Sequence, residues 1–191
     1  MITKIKSSIQ ESINTKLDLL NNYSSEIEEC ANIWIETIRN GGKILFCGNG
    51  GSASDAQHIA TELMVRLRHD NDRPAIPAIA LTTDTSLLTA AANDLGFSEI
   101  FARQIEGLAQ KNDLVVGIST SGNSPNILRA IETANRIGVK TQGFLGMSGG
   151  KLKDIVHSSI IVPSDNTARI QESHILIGHI LCELTEVEIH G

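Results

Sequence analysis

The first 40 residues carry an apolar side chain at every third or fourth position, which predicts two amphipathic helices. The second helix begins near Ser25 and Glu28, which have capping-box spacing, and Gly41 and Gly42 end it. Because these helices precede any strand, their apolar stripes need a partner in the domain or in another subunit. The first helix spans about residues 2–21, and its stripe comprises Ile2, Ile5, Ile9, Ile13, Leu17 and Leu20.

After residue 42, short apolar runs alternate with helical segments. The runs lie at 43–47, 76–81, 114–118, 141–145 and 160–162, and the helical segments at about 53–68, 85–108, 125–137, 149–156 and 167–189. The runs lack polar alternation, as expected for strands that are buried on both faces of a parallel sheet. The pattern predicts a doubly wound α/β sandwich. We expect a single domain over 1–191, with N-terminal helices at 1–40 and the sandwich at 41–191.

Composition narrows the function. The net charge of −6 argues against nucleic acid or an anionic membrane as a partner. Aromatic residues make up only 3% of the chain, so stacking platforms for bases or sugars are scarce. Cys30, Cys47 and Cys182 form no CxxC pair and indicate buried thiols in a reducing compartment. No secretory signal or membrane-spanning stretch is visible, so we expect a cytoplasmic protein.

The loop after the first strand, 48–55, is rich in glycine and opens a helix. Asn49, Gly50, Gly51 and Ser52 lie where backbone N–H groups can approach an anionic ligand. The loop loosely matches the dinucleotide fingerprint, but the acidic residue expected about 20 positions later is missing. A tight strand-to-helix turn is the plain alternative, and a dinucleotide binder remains a further one.

The loop after the third strand carries four hydroxyl side chains and a glycine before Pro125. Hydroxyls together with the free N–H groups of a helix N-terminus form a phosphate cradle without lysines. Ordinary N-capping is the alternative, but it needs only one hydroxyl. We favour phosphate binding, and one such loop suits a sugar monophosphate. The hydroxyl residues are Ser119, Thr120, Ser121 and Ser124.

Two helices carry candidate acid–base or metal-ligating residues. Asp55, His58 and Glu62 share one face of the helix after the first strand, either as a metal or base site or as a solvated polar face. In the last helix, Gln171 and His179 lie about 80° apart and can reach one ligand. His174 fits a core histidine better. Taken by itself, Ala92-Asn93-Asp94 indicates only the end of a helix.

Taken together, these residues resemble the sugar isomerase (SIS) domain family over essentially the whole chain. The shared serine loop is moderately specific, whereas the joint presence of His58, Glu62, Gln171 and His179 is much more so. The other motifs are Gly48-Asn49-Gly50-Gly51-Ser52, Asp55-Ala56-Gln57-His58, Ala92-Asn93-Asp94 and Arg169-Ile170-Gln171-Glu172.

The resemblance implies a flavodoxin-like five-stranded parallel sheet and a homotetramer with active sites at subunit interfaces, to which the N-terminal helices contribute packing. It implies that the serine loop binds a substrate phosphate and that Asn49 to Ser52, Asn93 and Asp94 line the sugar, together with Glu62 and Gln171. It also implies one zinc ion per site, held by His58, Glu62, Gln171 and His179.

The implied activity is aldose–ketose isomerisation of sedoheptulose 7-phosphate through an enediol, the first step of bacterial heptose-nucleotide biosynthesis. In this hypothesis Glu62 is the base and His179 the acid. A non-catalytic tetrameric binding protein of the same fold, of the replication-initiator-associating type, is the alternative, as is a sugar-phosphate sensor. The stretch Arg73 to Leu81 resembles that binding branch, but Glu62, His179 and Ser121 are intact, which favours the enzyme.

Overall fold

The computed structural model describes residues 1–69 and 71–191, which fold as helices around one central sheet. Two helices precede the sheet, and a long helix follows it. The elements in chain order are α1 (Ile2–Asn22), α2 (Ser24–Arg39), β1 (Ile44–Gly48), α3 (Gly51–Met64), β2 (Ala78–Ala80), α4 (Thr85–Asp94), α5 (Ala102–Leu108), β3 (Leu114–Ser119), α6 (Pro125–Arg136), β4 (Lys140–Gly146), β5 (Ser158–Val162) and α7 (Thr167–His190).

The five strands form one parallel sheet in the order β2-β1-β3-β4-β5. Ile44 of β1 pairs with Ala78 on one side and with Leu114 on the other. The chain leaves β1 towards β2 and leaves β3 towards β4, so the strand order reverses between β1 and β3. Ligands of such sheets bind in the crevice at that reversal, outside the carboxyl ends of the strands. The predicted five-stranded, doubly wound α/β fold is confirmed.

Successive strand residues point to opposite faces of the sheet and fill two separate cores. Phe46 and Phe144 face α1, α2, α3 and α7, where Trp34 packs against both rings. Leu45 and Leu145 face α4, α5 and α6 on the other side. The Trp34 indole donates a hydrogen bond to Oε1 of Gln142 at 2.7 Å, which satisfies a buried amide of β4. Aliphatic residues therefore supply almost all of both cores.

The prediction of one helix over 85–108 is wrong. Gly96 has a φ of +96°, a conformation that side chains with a Cβ rarely adopt, and it ends the first segment. A short 3₁₀ turn, Phe97–Glu99, then redirects the chain into α5. The apolar period continues across the break, so the pattern alone did not reveal it.

Four smaller predictions also fail. Residues 149–156 form only a 3₁₀ turn at Leu152–Asp154, and β2 has three residues instead of the predicted run 76–81. The helix predicted over 53–68 ends at Met64. The capping box is not formed, because α2 begins at Ser24 directly after Tyr23, and the Ser25 hydroxyl donates to its neighbour Glu26.

The apolar stripe of α1 faces away from the rest of the chain. Helix α1 packs on α2 and α7 through Thr15 and Leu19, whereas the six stripe residues are between 45 and 66% exposed. Within the described residues, no helix combines the length and the apolar character that a membrane span requires.

The three cysteines are buried free thiols, as predicted. Burial raises the pKa of Cys30 to about 12 and that of Cys47 to about 12, and it also raises the pKa of Cys182. Thiolate is the reactive form of cysteine, so these side chains act as small core hydrophobes.

Candidate active site

In the turn between β1 and α3, the backbone of Gly48 lies close to the backbone of Ser52. Gly48 has no room for a side chain, because a Cβ there would lie 2.6 Å from the carbonyl carbon of Ser52. Gly50 has a φ of +55°, which places the chain directly into α3 at Gly51. The N-terminus of α3 therefore lies at the carboxyl edge of the sheet, as the sequence predicts. The free N–H groups of a helix N-terminus favour anions.

The serine loop joins β3 to α6 at the same edge. Ser119 and Ser124 bring their hydroxyl oxygens within 3.0 Å of each other, and the Ser121 hydroxyl accepts from the backbone N–H of Asn123 at 3.2 Å. Ser124 is the N-cap of α6, yet its side chain bonds to no N–H of the first turn. The N-terminal N–H groups of α6 are therefore not capped by Ser124. The loop, including Thr120, remains our prediction for the phosphate site.

A pair of amides joins these two loops across the strand reversal. Asn49 and Asn126 exchange two side-chain hydrogen bonds, each 2.8 Å long. Asn126 is buried in the first turn of α6 and was not among the sequence-predicted residues. Its only signal was a polar side chain directly after Pro125. The pair fixes the spacing between the predicted sugar-binding turn and the predicted phosphate loop.

Three predicted site residues converge between α3 and α7. The Nε2 atoms of His58 and His179 lie 2.8 Å apart, and Oε1 of Glu62 lies 3.2 Å from Nε2 of His58. Their ligand atoms all fall within 4.8 Å of one another. His58 is exposed, whereas Glu62 and His179 are half-buried. Residues 121 positions apart in sequence therefore share one small volume.

Close packing of the two helices makes this convergence possible. A Cβ at Gly178 would lie 2.6 Å from Cδ1 of Ile59, so a larger residue there would have to displace the Ile59 side chain. Each of these residues is the direct neighbour of a site histidine, His179 and His58 respectively. Gln171, two turns earlier on α7, approaches the start of α3, since a Cβ at Gly51 would lie 2.8 Å from its Cδ.

The converging donor set fits a divalent metal ion. Two imidazole nitrogens and one carboxylate oxygen are the ligands that catalytic zinc sites use, and they leave one position open. A direct contact between two histidine nitrogens needs a shared proton, whose place a cation can take. The chemistry of the three side chains therefore fits a divalent metal.

Asp55 and His174 are two further titratable residues of α3 and α7 whose pKa values are shifted by burial. Burial raises the pKa of Asp55 to about 6 against the opposing effect of His58, and its Oδ2 has no hydrogen-bond partner among the described residues. His174 is fully buried, and its Nε2 bonds the carbonyl oxygen of Leu145 at 2.9 Å. Burial lowers the pKa of His174 to about 4. The prediction that His174 is a core histidine is confirmed.

Asn93 and Asp94 end α4 on the surface. Nδ2 of Asn93 donates to Oδ1 of Asp94 at 2.8 Å, and both side chains are exposed. No hydrogen bond among the described residues joins them to His58, Glu62 or His179. Their role at the sugar stays a prediction.

Comparison with known proteins gives one consistent answer. The SIS domain family model matches residues 9–146. The chain is 58% identical over 154 residues to phosphoheptose isomerase of Nitratiruptor, covering 81% of each chain. It is 49% identical over 186 residues to that of Aquifex aeolicus, covering 97% of this chain and 96% of the relative.

Solved structures agree with these relatives. The phosphoheptose isomerase of Francisella tularensis is 40% identical, with a TM-score of 0.93, and that of Neisseria gonorrhoeae is 38% identical, with a TM-score of 0.91. Both comparisons cover 97% of this chain and 98% of the other. The chain therefore belongs to the SIS domain family and, within it, to the phosphoheptose isomerases.

Proposed function

We propose that this chain is an aldose–ketose isomerase that converts D-sedoheptulose 7-phosphate into D-glycero-D-manno-heptose 7-phosphate, the first step of heptose-nucleotide biosynthesis. The observation that carries the proposal is the convergence of Glu62 with His58 and His179 between α3 and α7. The names of relatives at 49 and 58% identity support the same reaction.

Phosphate binding is assigned to the serine loop. Ser119, Thr120, Ser121 and Ser124 lie at the N-terminus of α6, whose free N–H groups and dipole favour an anion. This cradle needs no lysine, so an acidic protein can hold a sugar phosphate. We assign the sugar hydroxyls to Asn49, Gly50, Gly51 and Ser52, with Gln171, Asn93 and Asp94.

Proton transfer is assigned to Glu62 and His179. Glu62 removes a proton from C1 of the ketose and returns it to C2, which converts the ketose into the aldose through an enediol. His179 donates a proton to O2 as the C2 carbonyl is lost, and receives one from O1 as the C1 carbonyl forms. The two carbon-bound steps and the two oxygen-bound steps balance without any redox partner.

A zinc ion is assigned to His58, Glu62 and His179, with Gln171 as the fourth ligand. When bound, zinc supplies a positive charge that polarises the substrate carbonyl and stabilises the enediolate. Glu62 has two carboxylate oxygens, so it can offer one to a cation and keep the other for proton transfer. The other ring nitrogen of His58 can carry the proton of the neutral imidazole while Nε2 binds the ion.

We assign the active form to a homotetramer whose sites lie at subunit interfaces. The exposed stripe of α1 supports this, because six large aliphatic side chains on one helix face are costly to leave in water. The exposed Asn93 and Asp94 are then available to a neighbouring subunit. Three buried free thiols support a reducing compartment such as the cytoplasm.

The alternatives have less support. A non-catalytic binding protein does not need the half-buried Glu62 against two histidines, and a dinucleotide binder lacks the acidic residue of its fingerprint.

The deciding experiment compares the parent with Glu62→Gln in D₂O, using sedoheptulose 7-phosphate. Part of the aldose product formed by the parent should carry deuterium at C2, because the proton that Glu62 takes from C1 can exchange with D₂O before Glu62 protonates C2. Glu62→Gln keeps the size of the side chain but should lower kcat at least a hundredfold. The exposed change Glu132→Gln on α6 is the control. Near-normal turnover by Glu62→Gln would refute the role of Glu62, and binding without turnover by the parent would refute the enzyme.

A further inference from the structure

The guanidinium of Arg73 lies buried between the C-terminal ends of α3 and α7. Its Nε bonds Oε2 of Glu186 at 2.7 Å, and the two side chains are only 2 and 3% exposed. Nη2 donates to the backbone carbonyl of Glu62 at 2.9 Å, and Nη1 donates to that of Leu63 at 2.9 Å. Nη1 also bonds the carbonyl of Pro74. Four hydrogen bonds therefore leave one planar group.

Two of these bonds cap the end of α3. The last carbonyls of a helix have no partner within it, and a cation is favourable there. Arg73 comes from the segment that follows α3 and satisfies the carbonyls of Glu62 and Leu63, which lie in the final turn. Arg73 therefore holds Glu62, the proposed base, through the backbone carbonyl oxygen of Glu62.

The third bond reaches α7. Glu186 lies seven residues after His179, so the two side chains share one face of the helix, about 20° apart. Nδ2 of Asn71 donates to the other carboxylate oxygen of Glu186 at 2.6 Å. Burial alone would raise the pKa of Glu186, but the hydrogen bonds from Arg73 and Asn71 outweigh it and lower that pKa. The carboxylate therefore stays charged opposite the guanidinium.

Helices α3 and α7 contact each other at several points. Gln171 lies against the start of α3, and Gly178 packs on Ile59 beside the two histidines. These contacts precede the final turn of α3. Arg73 and Glu186 join that final turn to α7.

We propose that Arg73 is a positioning residue, which holds the backbone of Glu62 on α3 in register with His179 on α7 through Glu186. This inference rests on the proposed function, because it assigns Arg73 to the geometry of the same base. The reaction needs a carboxylate held in place against the substrate carbon, and small displacements of a catalytic group cost rate steeply.

A purely structural role makes a different prediction. Buried ion pairs often add little net stability, although removing one partner destabilises the fold. If Arg73 only stabilised the fold, each folded molecule of a variant would keep its full kcat. If Arg73 positions Glu62, kcat falls in protein that is still folded, whereas KM changes less because the phosphate loop lies on other elements.

Arg73→Lys is the test variant, because lysine keeps the charge but cannot reproduce the planar fork of donors. The matched control is Arg39→Lys. Arg39 also bonds α7, through Oε2 of Glu188 at 2.9 Å and the Glu188 carbonyl, but it comes from α2 and does not touch α3. We expect Arg73→Lys to lower kcat at least tenfold and to change KM less than threefold. Here kcat is calculated per molecule of folded protein, and the folded fraction is measured by circular dichroism. Arg39→Lys should keep kcat within twofold.

Binding of Co²⁺, followed by its visible absorption in protein without zinc, provides a readout besides turnover. Displacing Glu62 should weaken Co²⁺ binding at least fivefold in Arg73→Lys and leave Arg39→Lys unchanged. If Arg73→Lys does not fold, Glu186→Gln takes its place, since it removes the charge that holds the guanidinium.

Parent-like kcat and Co²⁺ affinity in a folded Arg73→Lys or Glu186→Gln protein would overturn the inference. Equal losses in the Arg39→Lys control would also overturn it, since they would show a general effect on α7. A parent that binds Co²⁺ but does not isomerise sedoheptulose 7-phosphate would refute the proposed function alone, because the Co²⁺ comparison would still decide the role of Arg73. A parent with neither property would refute both.

Discussion

Buried His174 should lower the free energy of unfolding at acid pH, and the size of this effect can be calculated from its pKa. Its Nε2 bonds the carbonyl of Leu145, and a carbonyl only accepts, so Nε2 carries the proton of the neutral ring. Nδ1 is buried and has no hydrogen-bond partner among the described residues, so protonating it places an unpaired charge inside the protein. The pKa of His174 therefore falls from its ordinary value of 6.5 to about 4, through burial, which its bond to Leu145 opposes.

The sign of the effect follows from proton uptake. The unfolded chain takes up a proton at His174 below about pH 6.5, whereas the folded protein does so only below about pH 4. Between these values the unfolded state binds more protons, so the free energy of unfolding falls as the pH falls. At about 1.4 kcal/mol per pKa unit, the loss between pH 7 and pH 5 is about 2 kcal/mol.

The assay is urea unfolding at pH 7 and pH 5, at one protein concentration, for the parent and for His174→Gln. Glutamine keeps an N–H donor for Leu145 but does not titrate. All other groups, including Asp55 with its raised pKa, contribute equally to both proteins. The loss of stability between the two pH values should therefore be about 2 kcal/mol smaller in His174→Gln. Equal losses in the two proteins would refute the reasoning.

Four further outcomes are expected. Gly51→Ala places a Cβ against the amide of Gln171 and should lower kcat/KM at least tenfold in steady-state assays, with little change in Tm. Trp34→Phe leaves the buried Oε1 of Gln142 without its donor and should cost about 1–3 kcal/mol in urea unfolding. Removing metal with a chelator should abolish turnover until Zn²⁺ is restored, checked by elemental analysis; full activity in verified zinc-free enzyme would refute the metal's role. Ile13→Asp in the exposed stripe of α1 should lower the particle mass measured by light scattering.

The periodic parts of the fold could be predicted from the sequence. Buried strands and amphipathic helices leave their period in the chain, and five strands were found because each is a short apolar run. The break at Gly96 was missed because the apolar period runs through it, and a glycine inside a helical pattern is ambiguous. The predicted run was longer than β2 because Ile76 and Leu81 are also buried apolar residues, although they lie outside the strand.

The candidate site was predictable in its parts but not in its assembly. Spacing on one helix placed His58 beside Glu62, since residues four apart are neighbours. No spacing rule brings His179 to His58 across 121 positions; the resemblance to the SIS family did that. Asn126 left only a polar side chain after Pro125 as a local signal, and the position of Arg73 against α3 left none. The role of each depends on which amide or backbone carbonyl the fold brings opposite it.

The order of elements along the chain has a consequence for biosynthesis. Helix α7 carries Gln171, His179 and Glu186, yet it is translated after the whole sheet. A nascent chain that has emerged only as far as β5 has α3 and its half of the donor set, with the apolar faces of α2 and α3 uncovered. The proposed site can therefore be completed only after α7 has left the ribosome, and the docking of α7 that completes the core also brings His179 to His58.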